Sequence, residues 1–298
     1  MADCIGFIGI GNMGLPMVRR MEAAGHHVIG CDRDPKVSVT LKHSAESASD
    51  VARSADIIFL SLPTPAVVSA VAAEIAAAGG RTRIVVDLST TGPQGAREAA
   101  DMLARAGIEM VDCPVSGGVA GAVAGTLALM VGAPTPVLDA VRPILEIFGR
   151  IFHVGMEPGM GQMMKVINNL MSASALAVSG EGLAMAVKAG LDAETVVDVL
   201  NAGSGRNSAT LDKFPRQILT GTFDAGFSIG LMLKDVKLCM DQARKLGLDM
   251  PASHAVTHIW QLANDRIGAD ADFTRVVEIA ETAAGVKIRS KGLADVGG

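Results

Sequence analysis

Residues 155–171 read G-M-E-P-G-M-G-Q-M-M-K-V-I-N-N-L-M, and a run rich in alanine, serine, methionine and leucine follows them. The Pro-Gly pair ends whatever element precedes it, and the pattern over residues 161–188 predicts a single helix of roughly 40 Å. Lys165, Asn168 and Asn169 lie near the start of this helix, where spacings of three and four bring both amides beside the amine. A lysine on such an apolar helix either reaches water or works in a cleft.

The composition of the chain limits the class of protein. The chain has 298 residues, 49% hydrophobic and 19% charged, which suffices for one large domain or two of ordinary size. A net charge of -5 provides no basic surface for nucleic acid or for an anionic membrane. No secretory pattern opens the sequence, and the four cysteines are scattered without metal or redox spacing. We therefore expect a soluble, cytoplasmic protein that binds neither nucleic acid nor membrane.

The N-terminal segment has the pattern of a dinucleotide-binding turn. An apolar run ends in G-I-G-N-M-G at residues 9–14, and apolar residues then recur at helical spacing. In such a turn the backbone approaches a pyrophosphate, and the helix N-terminus points at its charge. The next apolar run ends in Asp32, where a carboxylate that binds ribose is expected; the alternative is a simple turn residue. Asp32 favours NAD, whereas the neighbouring Arg33 would instead suit the 2'-phosphate of NADP.

Further short apolar segments predict buried strands at residues 56–62, 83–87, 108–112, 127–131 and 150–154. Helical patterns lie between most of them, which predicts a mainly parallel, doubly wound α/β sheet with helices on both faces. Ligands bind such sheets at the carboxyl ends of the strands. Two of these ends carry small or polar turns, Leu62-Pro63 and Ser89-Thr90, as such a site requires.

A second landmark is the glycine-rich segment at residues 112–127, D-C-P-V-S-G-G-V-A-G-A-V-A-G-T-L. Ser116, Gly117 and Gly118 offer a hydroxyl and successive unshielded N–H groups, which together suit a carboxylate or another oxyanion. The alternative is that these glycines only permit a tight turn.

Four motifs together resemble the β-hydroxyacid dehydrogenase family. They are G-F-I-G-I-G-N-M-G-L-P-M, D-x-P-V-S-G-G-x-x-G-A-x-x-G-T-L, G-x-G-Q-x-x-K-x-x-N-N and K-D-V-x-L, and they occur in the family's order. The family includes 3-hydroxyisobutyrate dehydrogenase and tartronate semialdehyde reductase, and it is related to 6-phosphogluconate dehydrogenase. The resemblance implies a Rossmann-type dinucleotide-binding domain at residues 1–160. It also implies an all-α domain for substrate and oligomerisation at residues 161–298, joined to the first by the long helix.

The resemblance also assigns roles to individual residues. Lys165 matches the catalytic lysine, with Asn169 as its partner. The substrate would be held by Ser116, Gly117, Gly118, Asn168 and Lys234. The cofactor, NAD or NADP, would contact Gly9, Gly11, Asn12, Met13, Gly14, Asp32, Arg33, Leu62, Pro63, Thr90 and Lys234. One position departs from the pattern, because several members carry an asparagine where this chain has Val67.

These roles make up one hypothesis, reversible hydride transfer between nicotinamide and a short 3-hydroxy acid or its semialdehyde. Lys165 would take the hydroxyl proton during oxidation and return it during reduction. One alternative is an imine reductase on the same scaffold, which should lack the Ser-Gly-Gly and Lys-x-x-Asn-Asn motifs. Another is a dinucleotide-binding scaffold protein without catalysis, in which Lys165 or Ser116 should be eroded.

Two expectations remain for the second half of the chain. His254 and His258 share a helix face at a spacing that suits metal binding, but without an evident third ligand we expect no metal site. The long helix carries few charges and many small residues, so we expect a homodimer or homotetramer built from the C-terminal helices.

Overall fold

The computed structural model describes residues 4–38 and 41–291. The chain divides into two compact units, Met1–Lys165 and Val166–Gly298, and the division falls inside one helix, Met160–Lys188. That helix is the one predicted over residues 161–188. The α/β character of the N-terminal part and the helical character of the C-terminal part, both expected from the sequence, are confirmed.

The first unit is built on an eight-stranded sheet. Its strands are β1 (Ile5–Ile8), β2 (Val28–Cys31), β3 (Ile57–Leu60), β4 (Ile84–Asp87), β5 (Glu109–Asp112), β6 (Val115–Ser116), β7 (Leu127–Gly132) and β8 (Gly149–Gly155). The order is β2-β1-β3-β4-β5-β7-β6, and β8 pairs with β7. Strands β1 to β5 are parallel to one another, as predicted.

The far edge of the sheet departs from this parallel pattern. Strand β7 runs antiparallel to both β5 and β6, whereas β8 runs parallel to β7. The sequence predicted β7 as a strand but carried no information on its direction. The direction depends on the connection from β5, which turns through the short β6 and one short helix instead of a full crossover helix.

Along the chain, the helices of the first unit mostly alternate with its strands. They are α1 (Gly14–Ala23), α2 (Pro35–Ser38), α3 (Ala48–Ser54), α4 (Pro65–Ala77), α5 (Gly92–Ala104), α6 (Gly118–Ala124), α7 (Thr135–Leu145) and the first turns of α8 (Met160–Lys188). Helix α4 shows how local sequence sets a boundary. Thr64 accepts a hydrogen bond from the Val67 N–H at 3.3 Å, and Pro65 occupies the first helical position, where its missing N–H costs nothing.

The core of the first unit lies on both faces of the sheet. Alternate residues of each strand point to opposite faces, so Phe7 and Phe59 belong to one buried cluster, while Ile8 and Ile58 belong to the other. Phe59 also meets Phe148 edge-on, with ring centroids 5.8 Å apart. Burial on both faces explains why these strands read as continuous apolar runs.

The second unit is helical. It contains the rest of α8, then α9 (Ala193–Ala202), a π-helix (Ala209–Ile218), α10 (Ile229–Lys245), α11 (Pro251–Arg266), a short 3-10 turn (Phe273–Val276) and α12 (Val277–Ala284). Trp260 is fully buried, stacks on Phe273 and donates its indole N–H to the carbonyl of Ala173 at 3.2 Å. This bond fixes α11 against α8 in the centre of the unit.

Helix α8 is long and apolar enough, by length and composition alone, to cross a membrane. In the structure, however, 44% of its most apolar window is buried inside the protein. The core helix of a soluble protein meets the same criterion.

Candidate active site

The turn between β1 and α1 has the shape that its glycines allow. Gly9 has a φ of +91°, and a side chain there would overlap the carbonyl oxygen of Ser61. A side chain at Gly14 would overlap the carbonyl oxygen of Gly9. At Gly11, in contrast, an added Cβ would lie more than 4 Å from every described atom beyond Gly11 and its two chain neighbours, and both Gly11 and Asn12 are exposed. The turn is therefore closed on its protein side and open on its outer side, above the N-terminus of α1.

That open N-terminus suits an anion. Helix α1 begins at Gly14, after Met13 in helical conformation, and among the described residues Met13 supplies no side-chain cap. The first N–H groups of a helix carry partial positive charge and need partners. A pyrophosphate would meet both conditions, so the residues present fit the dinucleotide that the sequence predicts.

Asp32 lies beside this turn at the end of β2. Its Oδ2 accepts a hydrogen bond from the Ile10 N–H at 2.6 Å, and its Oδ1 accepts one from the Asp34 N–H at 2.9 Å. A carboxylate accepts hydrogen bonds through both of its oxygens, as the recognition of ribose hydroxyls requires. Arg33, the next residue, is exposed. The structure thus brings Asp32 to the glycine turn, as the sequence predicted. Its hydrogen bond to the Ile10 N–H also stabilises that turn.

The carboxyl ends of β3 and β4 are held together by one serine. The hydroxyl of Ser89 accepts a hydrogen bond from the Leu62 N–H at 2.9 Å, and the Ser89 N–H donates to Asp87 Oδ1 at 3.0 Å. Two predicted cofactor contacts, Pro63 and Thr90, follow directly in these two loops. The hydrogen bond fixes the spacing between the loops.

The Ser-Gly-Gly segment forms the junction between β6 and α6. Gly117 has a φ of +136° and Gly118 a φ of +62°, so both positions require glycine for backbone reasons. Both glycines are exposed, while Ser116 is half-buried at the end of β6. The tight-turn interpretation therefore has a structural basis, and the exposed backbone also remains accessible to a ligand.

A buried polar pair lies where β5 meets the start of α8. Asp112 and Gln162 are both fully buried, and Gln162 Nε2 donates to Asp112 Oδ1 at 2.9 Å. Burial raises the pKa of Asp112 to about 7, helped by the neighbouring Asp87, while hydrogen bonds from Gln162 and Gly159 act in the opposite direction. Sequence analysis gave these two residues no role, although both stand inside the quoted motifs.

Close packing at this point depends on glycine. A side chain at Gly161 would overlap the carbonyl oxygen of Met130, and one at Gly132 would come within 2.6 Å of the Glu157 carbonyl oxygen. These small residues let the first turn of α8 lie directly on the ends of β5 and β7. Lys165 follows in the same helix and is buried, with 9% of its surface exposed. Lysines are seldom buried to this degree unless they are paired.

The other predicted catalytic group lies in the second unit. Asn169 is buried, and its Nδ2 donates to Asp235 Oδ2 at 2.6 Å. Lys234 Nζ lies 3.2 Å from Asp235 Oδ1, and Asn168 Nδ2 donates to Asn169 Oδ1 at 3.1 Å. The structure thus brings Asn169 and Lys234 together at the Asp235 carboxylate, with Asn168 bonded to Asn169.

Asp235 is the residue that sequence reasoning missed in this cluster. Only 1% of its surface is exposed. Because a carboxylate can only accept hydrogen bonds, it fixes which end of the Asn169 amide faces it.

No group of three or more metal-ligating side chains is assembled among residues 4–38 and 41–291. His254 lies exposed on α11, 3.8 Å from the carboxylate of Asp249, and His258 is exposed on the same helix.

Comparison with known families places both parts of the chain. A family model described as the NAD-binding domain of 6-phosphogluconate dehydrogenase matches residues 4–155. A second model, described as NAD-binding of NADP-dependent 3-hydroxyisobutyrate dehydrogenase, matches residues 159–280.

Individual relatives match nearly end to end. The chain is 36% identical to a probable 3-hydroxyisobutyrate dehydrogenase of Mycobacterium bovis, over 92% of this chain and 96% of the relative. It is 33% identical to 2-(hydroxymethyl)glutarate dehydrogenase of Eubacterium barkeri, over 95% of this chain and 97% of the relative.

Solved structures agree with these matches. Mycobacterium tuberculosis 3-hydroxyisobutyrate dehydrogenase, solved with L-serine, has a TM-score of 0.84 at 33% identity, over 94% of this chain and 99% of the other. A Streptomyces aurantiacus imine reductase has a TM-score of 0.63 at 22% identity, over 93% and 99% of the two chains, and shares the fold alone.

Proposed function

Because the chain belongs to the β-hydroxyacid dehydrogenase family, which includes 3-hydroxyisobutyrate dehydrogenase, we propose that it transfers hydride reversibly between NAD and a short 3-hydroxy acid. The protein is an NAD(P)-dependent oxidoreductase of that family. The observation that carries the specific proposal is the buried Lys165, in a chain that also keeps the Ser116-Gly117-Gly118 turn and the Asn169 cluster.

In this proposal the two parts of the chain have different functions. Residues 1–160 bind the cofactor, and residues 161–298 serve the substrate and oligomerisation. The open glycine turn supports the first assignment, because Gly9, Gly11, Asn12, Met13 and Gly14 leave room for a pyrophosphate above α1. Leu62, Pro63 and Thr90 border the cofactor farther along the strand ends.

The preference for NAD rests on charge. Asp32 points a carboxylate toward the glycine turn, and a carboxylate binds ribose hydroxyls but repels a 2'-phosphate. Arg33 is the residue through which NADP would be accepted, because its guanidinium is exposed beside the same strand end.

The substrate and proton roles follow the chemistry of each group. The N–H groups of Gly117 and Gly118 and the hydroxyl of Ser116 bind the substrate carboxylate, and Lys234 adds a positive charge. Lys165 in its neutral form accepts the hydroxyl proton as the carbon is oxidised, and returns it on reduction. Asn169 and Asn168 orient the hydroxyl, and Asp235 holds the Asn169 amide in one orientation. The bound nicotinamide supplies the hydride acceptor.

A panel of substrates tests this function. We expect turnover with NAD on one or more short acids that share a carboxylate and a 3-hydroxyl: 3-hydroxyisobutyrate, glycerate, 2-(hydroxymethyl)glutarate and L-serine. The readout is the absorbance of the reduced cofactor, with NADP run in parallel. Two matched controls are the corresponding 2-hydroxy acids and a cyclic imine tested with NADPH. Activity on the imine alone would contradict the proposal and favour the reductase alternative, and no turnover with any compound would favour a binding protein.

The oligomeric state forms a separate part of the proposal. In the second unit, α8 exposes four large apolar side chains, Ile167, Met171, Val178 and Met185, with exposed fractions of 40%, 65%, 60% and 72%. Their spacings of four, seven and seven residues place them on one stripe, the pattern by which helices of separate chains associate. We propose that this stripe is covered by another copy of the chain, in a cytoplasmic homodimer or homotetramer.

Light scattering coupled to gel filtration checks this assembly. We expect a mass of at least twice the 30.6 kDa of one chain, and a shift toward 30.6 kDa when Met171 and Val178 are both replaced by lysine. Replacing the exposed Leu211 by lysine, outside the stripe, is the matched control. A wild-type protein that elutes with the mass of one chain at micromolar concentration would contradict the assembly.

A further inference from the structure

The side chain of Gln162 uses its whole hydrogen-bonding capacity inside the first unit. Its Oε1 accepts from the N–H groups of Thr91 at 2.8 Å and Gly92 at 3.1 Å. Its Nε2 donates to the carbonyl oxygen of Ser89 and to Asp112 Oδ1, both at 2.9 Å. Two donors and two acceptors are all that a primary amide has. One fully buried side chain thus ties the loop after β4 to the end of β5.

The partner carboxylate acts as a cap for the long helix. Asp112 Oδ2 accepts from the Gly159 N–H at 2.7 Å and from the Gln162 N–H at 3.1 Å. Gly159 directly precedes α8 and Gln162 lies in its first turn, where N–H groups have no partner within the helix. When Asp112 is ionised, its negative charge also faces the positive end of the helix dipole. The cap comes from a strand some fifty residues earlier in sequence, so it fixes where the helix starts relative to the sheet.

Lys165 lies three residues after Gln162 on the same helix, about one turn beyond the residues that this pair holds. On the other side, the loop held by Gln162 contains Thr90, and Ser89 links that loop to Leu62. The pair is therefore placed between the proposed proton-exchanging amine and two loops of the proposed cofactor site, all within one compact unit.

We propose that Asp112 and Gln162 are positioning residues, which set the Lys165 amine at the correct distance and angle from the reacting carbon. This role rests on the proposed function. Neither residue exchanges a proton with substrate in this proposal. Their effect passes through the backbone of the first turn of α8, and misplacement of a catalytic group by about 1 Å costs about a hundredfold in rate.

The polarity of the pair makes the role testable. In Asp112→Asn the new Nδ2 faces either Gln162 Nε2 or two backbone N–H groups, so donors oppose donors in either orientation. In Gln162→Glu the new carboxylate faces Asp112 and the Ser89 carbonyl oxygen, so acceptors oppose acceptors. The double variant D112N/Q162E restores the bond with reversed polarity, because the amide introduced on β5 then donates to the carboxylate introduced on α8. The bond to the Ser89 carbonyl oxygen remains lost, and that oxygen still faces a carboxylate oxygen at position 162.

The experiment measures kcat at saturating substrate and cofactor, together with the melting temperature, for wild type, both single variants and the double variant. We expect each single variant to lose about ten- to a hundredfold in kcat, measured well below its own melting temperature. The double variant should recover to within about tenfold of wild type and regain melting temperature. If a single variant does not fold, Gln162→Met replaces it, because an apolar side chain removes the donor or acceptor conflict while still losing all four bonds.

A matched control separates positioning from general stability. Thr82 is buried at the opposite end of β4, and its hydroxyl donates to the carbonyl oxygens of Ala52 and Ala55 at 3.1 and 2.9 Å. Thr82→Val should lower the melting temperature without changing kcat. The proposal fails if the Asp112 and Gln162 variants behave in the same way, or if the double variant shows no recovery. Turnover that does not depend on Lys165 would instead contradict the proposed function and leave the pairing of Asp112 with Gln162 intact.

Discussion

Lys165→Ala lowers kcat by about two to four orders of magnitude, the usual contribution of a general acid or base, while the dissociation constant of NADH changes little. The reason is that the alanine leaves no group at this position to take the hydroxyl proton. Steady-state kinetics with the best substrate of the panel, and NADH fluorescence titration for the cofactor, measure the two quantities separately.

Two further variants sharpen this prediction. Lys165→Arg keeps the positive charge but holds its proton at all working pH values, so it should be about as slow as the alanine variant. Lys188→Ala, at the exposed end of the same helix, should keep normal turnover. Near-normal kcat in the Lys165→Ala variant would contradict the role of Lys165 in proton transfer.

The second large effect is expected at Gly14. Replacing Gly14 by alanine drives a methyl group into the carbonyl oxygen of Gly9, which cannot move without shifting the turn between β1 and α1. We expect the free energy of unfolding to fall by about 3 kcal/mol, at the upper end for overpacking, with loss of measurable cofactor binding. Urea denaturation followed by circular dichroism gives the stability, and NADH titration gives the affinity.

Gly11→Ala is the matched comparison, because its methyl group would meet no described atom within 4 Å. Its stability should stay within about 0.5 kcal/mol of wild type, as for most exposed substitutions. Its NADH affinity should nevertheless fall at least tenfold, since the methyl group enters the space assigned to the pyrophosphate. Unchanged affinity would place the pyrophosphate elsewhere.

Much of the fold follows from local patterns. The strands β1 to β5 read as short apolar runs because both sheet faces are covered, and the long helix reads as an uninterrupted run between Pro158-Gly159 and Lys188. The reversal at β7 does not follow in the same way. Strand direction is decided by how the chain returns from β5, and two residues of β6 are too few to carry a period.

Some residues of the candidate site could likewise be predicted from the sequence, and others could not. The residues that sequence reasoning singled out carry chemistry of their own: glycines at tight backbone, a lysine on an apolar helix, an acid at a strand end. The residues it missed act through partners distant in sequence. Asp112 and Gln162 are separated by 50 positions, and Asn169 and Asp235 by 66. Such pairs are visible only once the chain has folded.

The bond between Asp32 and Ile10 has a consequence for protein engineering. The carboxylate to which we assign coenzyme selection also accepts the Ile10 N–H of the glycine turn, so exchanging it for a small neutral residue in order to accept a phosphorylated coenzyme would weaken that turn. Asparagine removes the charge and retains an oxygen for the Ile10 N–H, but its Nδ2 then faces the Asp34 N–H, so one of the two backbone bonds is lost. A variant designed to change the coenzyme preference of this enzyme should therefore keep a hydrogen-bond acceptor in the place of Asp32 Oδ2.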